Sequence, residues 1–398
     1  MSVASMISVE DARAHVLAGL VPTAPEIVAL AEGWGRVLAT DIVARLSHPP
    51  HDVSAMDGFA VIAADPGPRR IVGTAPAGHP WRGHLQAGEA LRLFTGSVVP
   101  QGADAVAIQE DATWDHATVT LRDPARPGSH IRRAGQDFRA GDALVRAGTR
   151  LGPRQIGLIA AGNHAWVSVH RRPVVAILAT GDEIVLPGEP VGEGGIVSSN
   201  SHALAALVRA CGGTPAILPI AADDRGAIAR AAAGATGCDL LVTTGGASVG
   251  AHDLVAEALG PQGLALDFWK VAMRPGKPLM SGRLGRLPLL GLPGNPVSAY
   301  ICALLFLGPA IERLLSLPGD APRPVPARLG ADLAANDHRA DHLRCSLSPA
   351  ADGTLLATPS PRQDSGMIRV LAESDGVILR PPHAPAAVRG ESVPVLRL

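Results

Sequence analysis

The chain has 398 residues, of which 47% are hydrophobic and 18% charged, and its formal net charge is −1. This length allows roughly two to four globular domains, and the composition excludes an intrinsically disordered chain. A net charge near zero gives no overall basic field that would attract nucleic acid or an anionic membrane, so we expect neither as a partner.

The N-terminal region predicts helix and no targeting signal. Residues 1–8 contain no basic region and no long apolar core, so we expect no signal peptide and a cytoplasmic location. From 8 to 45, Ala, Leu and Val recur at helical spacing, and Ser8 with Asp11 three residues later resembles a helix-capping signal. The turn-rich residues 47–52 end this pattern. We therefore expect a largely helical N-terminal region.

The next residues, 53 to 145, predict a small β-rich domain. Short apolar runs alternate there with Gly and Pro turns, as is typical of strands. The runs are at 59–62, 70–73, 90–94, 105–108 and 118–121. Gly152 to Gln155 then opens a short predicted helix, 156–161, which we expect to rejoin the N-terminal helices.

Residues 173 to 318 predict a doubly wound, mostly parallel sheet. The fully apolar run 174–178 is typical of a strand that is buried on both faces. Further strands, at 216–220, 240–243 and 287–290, alternate with helices at 201–210 and up to 233. Asp223 or Asp224 is the candidate cap of the second helix. The longest apolar run, 297–307, precedes Gly308-Pro309 and is too short to span a bilayer.

The C-terminal residues return to short strands and predict a small β-barrel or sandwich. These strands are at 344–347, 354–357, 376–379 and 393–396, after a proline-rich linker. The whole chain is thus predicted to be an α/β multidomain protein. Its parts are 1–45 with 146–172 (helical and elongated), 46–145 (β-rich), 173–318 (α/β) and 319–398 (C-terminal β domain).

Cysteine and histidine patterns bear on metal and redox chemistry. No pair among the four cysteines, Cys211, Cys238, Cys302 and Cys345, has C-x-x-C spacing, which favours buried thiols in a reducing compartment over zinc or disulfides. The histidines form no H-E-x-x-H cluster, so a catalytic zinc site is not expected.

Four loops of the α/β region follow predicted strands, and the carboxyl edge of a parallel sheet is where anionic ligands bind. The first loop, 179–183, places Asp182 and Glu183 side by side. Two adjacent carboxylates suit a hydrated divalent cation or a ribose-like hydroxyl. Helix capping by Asp182 is the alternative, and the sequence leaves both open.

The second loop, 243–253, is rich in glycine. Gly245 and Gly246 permit close backbone approach, and their amides together with the Ser248 hydroxyl suit a phosphate group. An ordinary turn is the alternative. Asp253 favours the phosphate site, because an acid beside a phosphate loop is a natural magnesium ligand.

The third loop, 268–278, carries three cations. Lys270 and Lys277 are the only lysines in the chain, Arg274 lies between them, and apolar residues flank them. This clustering favours an anion-binding site over a solvated surface turn.

The fourth loop, 291–296, leads into a long apolar helix. Asn295 is predicted to cap that helix, with Pro296 at its first position. Anion binding at the helix N-terminus stays open. Two turns elsewhere, 54–59 with Asp57 and 95–104, are ordinary turns when taken alone.

Together, these segments resemble the MoeA family, the molybdopterin molybdenumtransferases, which include the E domain of gephyrin. The matching segments follow the family's order, span most of the chain, and are 54–61, 95–106, 131–137, 179–183, 244–253, 270–278 and 292–298. The resemblance implies a four-part subunit, an elongated homodimer and a sheet domain of the molybdopterin-binding type. The implied reaction inserts molybdate into adenylylated molybdopterin with the help of Mg²⁺ and releases AMP.

The resemblance also implies roles for individual residues. The implied catalytic residues are Glu183, Asp223, Asp253 and Asp57, of which the first three would handle magnesium. The implied substrate-binding residues are Thr95, Asp137, Gly245, Gly246, Ser248, Lys270, Arg274, Lys277, Pro293 and Pro296. Of these, Thr95 and Asp137 would face the cleft with Asp57 from the partner subunit's side. Arg344 and Ser365 match more loosely.

The chain departs from the family pattern at two positions. Arg274 stands where lysine is common, which keeps the charge but changes the geometry of oxyanion binding. Ala251 stands where an acid is frequent, which removes one magnesium contact. The C-terminal domain matches least.

Two other functions are considered beside the transferase. A cofactor carrier or scaffold would keep the fold without the reaction, and a nucleotide-hydrolysing enzyme would share only the α/β domain. The three acids favour the transferase, and the matches at 54–61 and 95–106 count against the hydrolase. A molybdopterin adenylyltransferase and molybdoenzymes are the expected protein partners. Molybdate and tungstate are not distinguished, because the two oxyanions are nearly equal in size and charge.

Overall fold

The structure is a computed structural model and describes residues 6–245 and 254–398. It divides into two compact units, one made of residues up to 26 together with 170–398, the other of residues 27–169. The four-part division of the chain stays a prediction. The first unit contains both the parallel sheet and the C-terminal strands.

The N-terminal region is helical only at its start. Helix α1 (Val9–Leu17) is capped by Ser8, whose Oγ accepts a hydrogen bond from the Asp11 backbone N–H at 3.0 Å. The expectation of a largely helical segment from 8 to 45 is wrong beyond this helix. Prolines at 22 and 25 interrupt the helical pattern, and the following strand pairs with a partner far away in sequence. The elements after α1 are β1 (Pro25–Ala29), a 3-10 turn (Leu30–Glu32) and β2 (Ile42–Val43).

The second unit confirms the predicted β-rich region. Its remaining strands are β3 (Val53–Ser54), β4 (Gly58–Val61), β5 (Arg69–Ala75), β6 (Glu89–Leu93), β7 (Ala105–Ile108), β8 (Ala112–Trp114), β9 (Thr118–Leu121), β10 (Ile131–Arg132), β11 (Ala143–Val145) and β12 (Trp166–His170). A six-stranded sheet has the order β7-β4-β6-β5-β9-β8, and three strand pairs are β1-β12, β2-β11 and β3-β10. Helix α2 (Pro153–Ala161) buries Ile159 in one core with Val28 and Val167.

The first unit contains the predicted, mostly parallel sheet. Its strands up to residue 292 are β13 (Val174–Ala179), β14 (Ile184–Val185), β15 (Ile196–Val197), β16 (Thr214–Ile217), β17 (Leu240–Thr244), β18 (Leu264–Phe268), β19 (Met273–Arg274), β20 (Met280–Leu284) and β21 (Leu287–Leu292). The six-stranded order is β16-β13-β17-β21-β20-β18. The first four strands are parallel to one another, β20 pairs antiparallel with β21, and β18 pairs antiparallel with β20.

Helices cover both faces of this sheet, as its apolar strands require. One face packs Ala176, Leu178 and Leu241 against Ile228 and Val255 of the α4 and α5 layer. The alternate residues point to the opposite face, where α3, α6 and α7 contact one another. Asp224 resolves the capping alternative, because its Oδ1 accepts from the Ala227 N–H at 2.8 Å. The helices are α3 (Asn200–Cys211), α4 (Arg225–Ala233), α5 (Leu254–Leu259), α6 (Pro296–Cys302) and α7 (Gly308–Leu314).

A continuous apolar helix runs through α6 and α7. It spans Pro296–Leu314 by way of a π-helical segment, Ala303–Leu307, so Gly308-Pro309 does not end it as the sequence suggested. Its 19 residues are long and apolar enough to cross a membrane, but 78% of the window is buried inside the protein. The helix is therefore a core element of the sheet domain.

The C-terminal strands form the predicted barrel. In the sheet order β23-β24-β22-β26-β25, an additional pairing of β23 with β25 closes the ring. Strand β19 extends this sheet by pairing parallel with β23, which places the cation-rich loop beside the barrel. The elements are β22 (Val325–Leu329), β23 (Ala340–Pro349), β24 (Leu355–Pro359), α8 (Ile368–Ala372), β25 (Gly376–Arg380) and β26 (Ser392–Arg397).

Candidate active site

A cavity of about 490 Å³ lies where β13, β17 and β21 end. The loops that follow these strands form it, together with the starts of α3 and α6. Its lining residues are Ala179, Thr180, Glu183, Ile184, Ile196, Val197, Ser198, Ser199, Asn200, Thr244, Gly245, Pro278, Pro293, Gly294, Asn295, Pro296 and Ser298. The cavity therefore contacts all four loops that the sequence singled out in this domain.

The turn after β17 requires glycine at its first position. Gly245 has φ +93°, and a Cβ there would lie 2.3 Å from the Thr180 carbonyl oxygen. The same two loops are joined by a hydrogen bond from the Thr180 N–H to the Thr244 carbonyl oxygen at 3.1 Å. The rest of the predicted phosphate loop, with Gly246, Ser248 and Asp253, lies outside the described residues.

Asn200, which the sequence reading did not single out, connects two of the loops. Its side-chain Nδ2 donates to Thr244 Oγ1 at 2.9 Å and to the Gly294 carbonyl oxygen at 2.7 Å. Thr244 Oγ1 in turn donates to the Pro293 carbonyl oxygen at 3.2 Å. The only sequence signal was a run of cap-type residues, 198–201, at the start of a predicted helix.

Three carboxylates gather beside the first loop. Asp182 Oδ1 accepts a hydrogen bond from the Asp223 backbone N–H at 2.9 Å, so Asp182 joins two loops and does not cap a helix. Burial raises the pKa of Asp223 above its usual value, and the charges of Asp182 and Glu183 raise it further. Negative charge is therefore concentrated here, as in a site prepared for a cation.

The described residues do not by themselves complete a metal site. No group of three or more His, Cys, Asp or Glu side chains within 6–245 and 254–398 is arranged to hold a metal ion. Glu183 and Asp223 are near enough for their charges to interact. Asp253, the third predicted ligand, falls outside the described part of the chain. The available donors are carboxylate oxygens, which are the ligand type that Mg²⁺ prefers.

The three cations of the third loop differ in their surroundings. Arg274 forms a bidentate ion pair with Asp341 of β23, with Nε to Oδ1 at 2.9 Å and Nη2 to Oδ2 at 2.8 Å. Within the described chain, no hydrogen bond or ion pair occupies the side chains of Lys270 and Lys277, both half-buried. Pro278 follows Lys277 directly and lines the cavity. The two lysines are thus the cations left for a ligand.

The fourth loop carries the start of α6 into the cavity. Asn295 occupies the N-cap position and Pro296 the first helical position, as predicted. The Asn295 side chain makes no capping hydrogen bond, however, so that part of the prediction is wrong. Instead, the Val297 backbone N–H donates to the Ser365 carbonyl oxygen at 3.1 Å. A C-terminal loop therefore satisfies the helix terminus, and the exposed Asn295 amide is left at the cavity.

Arg344 holds that C-terminal loop in place through hydrogen bonds to its backbone. Its side chain is fully buried and donates to the carbonyl oxygens of Met367 at 3.1 Å and Asp364 at 2.9 Å. These two acceptors flank Ser365 in sequence. The structure thus connects both loosely matched residues, Arg344 and Ser365, to the start of α6.

In the second unit, Asp57 and Thr95 form a local pair. Asp57 Oδ1 accepts from the Thr95 N–H at 2.7 Å and from Thr95 Oγ1 at 2.9 Å, and these bonds hold the pKa of Asp57 below its usual value. Arg92, which the sequence reading missed, lies near Asp57 and stacks over the Trp114 ring at 4.3 Å. Asp137 has an exposed side chain, and its backbone N–H donates to the His48 carbonyl oxygen at 3.0 Å.

Within the described residues, none of the four cysteines forms a disulfide. Burial raises the pKa of Cys345 to about 12, and it also raises the pKa of Cys302. These buried thiols are protonated at neutral pH and belong to the packed interior.

Family models match the chain in three consecutive regions. They are the MoeA N-terminal region (domain I and II) over residues 7–162, a probable molybdopterin binding domain over 176–313, and the MoeA C-terminal region (domain IV) over 326–398. The matches follow the order that the sequence motifs suggested.

Full-length relatives and a solved structure agree with these matches. A molybdopterin molybdenumtransferase of Nostoc sp. is 35% identical over 412 residues, covering 99% of this chain and 94% of the relative. Molybdopterin molybdenumtransferase 2 of Mycobacterium tuberculosis is 36% identical over 390 residues, covering 94% and 95%. The molybdopterin biosynthesis moeA protein of Pyrococcus horikoshii superposes with a TM-score of 0.84 at 26% identity, covering 99% of this chain and all of that one.

The fold, the cavity and these matches define a multidomain α/β transferase of molybdenum cofactor biosynthesis. Within that class, the chain belongs to the MoeA family of molybdopterin molybdenumtransferases. The resemblance read from the sequence motifs is thereby confirmed.

Proposed function

We propose that this protein inserts molybdate into adenylylated molybdopterin, releases AMP and so produces the molybdenum cofactor. The observation that carries the proposal is that Glu183, Gly245, Pro278 and Pro293 line one cavity. A single ligand in this cavity can therefore contact an acid, a glycine turn, the end of the cation loop and a proline of the wall. Such a ligand combines a ring system, phosphate groups and an oxyanion.

Lys270 and Lys277 are proposed to bind molybdate or phosphate as substrates. Both lysines lie on the segment that ends at Pro278 of the cavity wall. Arg274 uses Nε and Nη2 on Asp341, so it contributes to anion binding only through Nη1. Fixed cations neutralise charge on an oxyanion without reorganisation, which favours breaking a phosphoanhydride bond.

Glu183, Asp223 and Asp253 are proposed to hold Mg²⁺. The raised pKa of Asp223 supports this, since a divalent cation would relieve the repulsion that Asp182 and Glu183 exert on it. When bound, Mg²⁺ would neutralise phosphate charge beside the cavity. The protein's own contribution is to fix two carboxylates on neighbouring loops through the Asp182–Asp223 hydrogen bond.

The cradle around the pterin and its phosphates is proposed to come from the glycine turn and the fourth loop. Gly245, with Gly246 and Ser248, would present backbone amides and a hydroxyl to phosphate. Pro293 and Pro296 would shape the pterin pocket, because their rings are rigid walls of the cavity.

A homodimer is proposed to complete the site. Asp57, Thr95 and Asp137 would then face the cleft from the partner subunit's side. Support comes from large apolar side chains left exposed on paired strands of the second unit: Ile27 of β1 is 74% exposed and Trp166 of β12 is 62% exposed. Association with a molybdopterin adenylyltransferase, delivery to molybdoenzymes and a cytoplasmic location are further parts of this proposal.

The deciding experiment is AMP release from adenylylated molybdopterin with Mg²⁺, with and without molybdate. We expect release that depends on molybdate in the wild type and is lost in Asp253→Ala. Tight pterin binding without any release would instead support the carrier or scaffold alternative. A protein that neither binds the pterin nor releases AMP would contradict the proposal.

A further inference from the structure

We propose that Asn200 is a positioning residue of this cavity. Its side-chain amide ties the end of β17 to the loop after β21, and thereby holds the walls of the cavity in their binding shape. This inference rests on the proposed function only where it concerns the ligand. The two hydrogen bonds of the Asn200 side chain form in the protein without any ligand.

The geometry places one amide group between two walls. Asn200 Nδ2 lies 2.9 Å from Thr244 Oγ1 and 2.7 Å from the Gly294 carbonyl oxygen. Asn200, Thr244 and Gly294 all line the cavity. Each of the two amide protons thus goes to a different loop of the same site.

The hydrogen-bond chemistry fixes the orientation of the amide. The Gly294 carbonyl oxygen can only accept a hydrogen bond. Thr244 Oγ1 donates its single proton to the Pro293 carbonyl oxygen at 3.2 Å, so it can only accept a hydrogen bond from Asn200. Both contacts therefore need an N–H donor. Aspartate, which has the same shape as asparagine but no donor when ionised, cannot replace it.

Helix formation does not explain an asparagine at this position. Asn200 is the first residue of α3, and Ser199 at the N-cap position makes no side-chain capping bond. Asparagine is a weaker helix former than alanine. The Asn200 amide protons serve neighbouring loops, so the residue acts on the site and not on its own helix.

Two other links join these segments before this point, because β17 pairs with β21 as far as Thr244 and Leu292, and Thr244 Oγ1 bonds to Pro293. The Asn200 bond to the Gly294 carbonyl oxygen extends the connection beyond Pro293. The two loops approach through glycines there, and a Cβ added to Gly294 would lie 3.5 Å from the Gly245 Cα. Glycines bury little apolar area, so hydrogen bonds set the spacing. Losing the Asn200 amide is expected to let the loop with Pro293 and Asn295 move away from the glycine turn.

The test compares Asn200→Ala and Asn200→Asp with the wild type and with His202→Ala. His202 is an exposed residue of the same helix, so its substitution controls for changes in α3 itself. The first measurement is hydrogen exchange of peptides that cover residues 290–299, made without ligand. We expect exchange about tenfold faster in both Asn200 variants, since two hydrogen bonds are lost, and unchanged exchange in His202→Ala.

The second measurement is the kinetics of AMP release. We expect KM for adenylylated molybdopterin to rise about tenfold in both Asn200 variants while the melting temperature changes by only a few degrees. Wild-type exchange and KM in Asn200→Asp would overturn the inference, because side-chain shape alone would then suffice. If the wild type releases no AMP, the proposed function fails, yet the ligand-free exchange still decides the role of Asn200.

Discussion

Arg274 and Asp341 form a two-bond ion pair that connects the cation loop of the sheet domain to the C-terminal barrel. The Asp341 side chain is 6% exposed and that of Arg274 is 49% exposed. A lysine at position 274 could donate to Asp341 only as a point charge, whereas the guanidinium matches both carboxylate oxygens. The arginine that departs from the family pattern therefore has a structural use in this chain.

Substitution of Arg274 is expected to destabilise the protein because Asp341 would stay buried without its partner. We expect Arg274→Met to lower the free energy of unfolding by about 2 kcal/mol and Arg274→Lys by about 1 kcal/mol. Urea titration measures both. The matched control is Arg339→Met, which removes the partner of Asp337, an acid whose side chain is 41% exposed. Equal losses in Arg274→Met and Arg339→Met would contradict the role of burial.

Lys277 is expected to matter more for molybdate than Arg274 does. The Lys277 side chain has no partner among residues 6–245 and 254–398, so its removal costs the ligand a charge-assisted contact. Lys277→Met should therefore raise the molybdate concentration for half-maximal AMP release by about tenfold or more. Arg274→Lys should change it less than about threefold, because Arg274 already uses two nitrogens on Asp341. Arg286→Met, at an exposed turn away from the cavity, is the control. The prediction fails if Arg274→Lys has the larger effect.

Gly245→Ala is expected to disrupt the cavity by a steric clash. The new Cβ would lie 2.3 Å from the Thr180 carbonyl oxygen, whereas Gly237, with φ +85°, has no atom within 4 Å of an added Cβ. Gly237→Ala should therefore cost only backbone strain, about 1 kcal/mol, and keep AMP release. Gly245→Ala should cost more and abolish release. Thermal unfolding and AMP release are the measurements, and similar behaviour of the two variants would argue against the clash.

His342 is expected to make stability depend on pH. Burial lowers its pKa to about 4, although nearby backbone carbonyls and Asp341 partly oppose the shift. Between that value and the ordinary pKa of histidine, the unfolded chain binds a proton that the folded protein does not, so stability falls as the pH falls. We expect His342 to account for a loss of about 2 kcal/mol between pH 7.5 and pH 5.

The pH prediction is checked by urea titration at both pH values. His342→Gln should remove most of that histidine-dependent loss, whereas His338→Gln, at an exposed position of the same region, should leave it in place. A pH dependence that is the same in His342→Gln and the wild type would show that other groups cause it.

Local patterns in the sequence predicted several elements correctly. The run 174–178, the capping by Asp224 and the glycine-punctuated turn at Gly245 follow from burial, side-chain capping and positive φ. The ordered motifs from 54–61 to 292–298 also gave the family, which the full-length relatives confirm.

Contacts between distant residues were decided by the tertiary structure. Strand β1 replaces the expected helix because it pairs with β12, more than a hundred residues away, and such pairing leaves no local period. For the same reason, the sequence does not reveal the hydrogen bonds from Asn200 to Thr244 and Gly294. It also does not reveal the ion pair between Arg274 and Asp341. The sequence by itself determined which loops carry acids, cations and glycines. Only the fold decided which of those side chains are already occupied by the protein and which are left for a ligand.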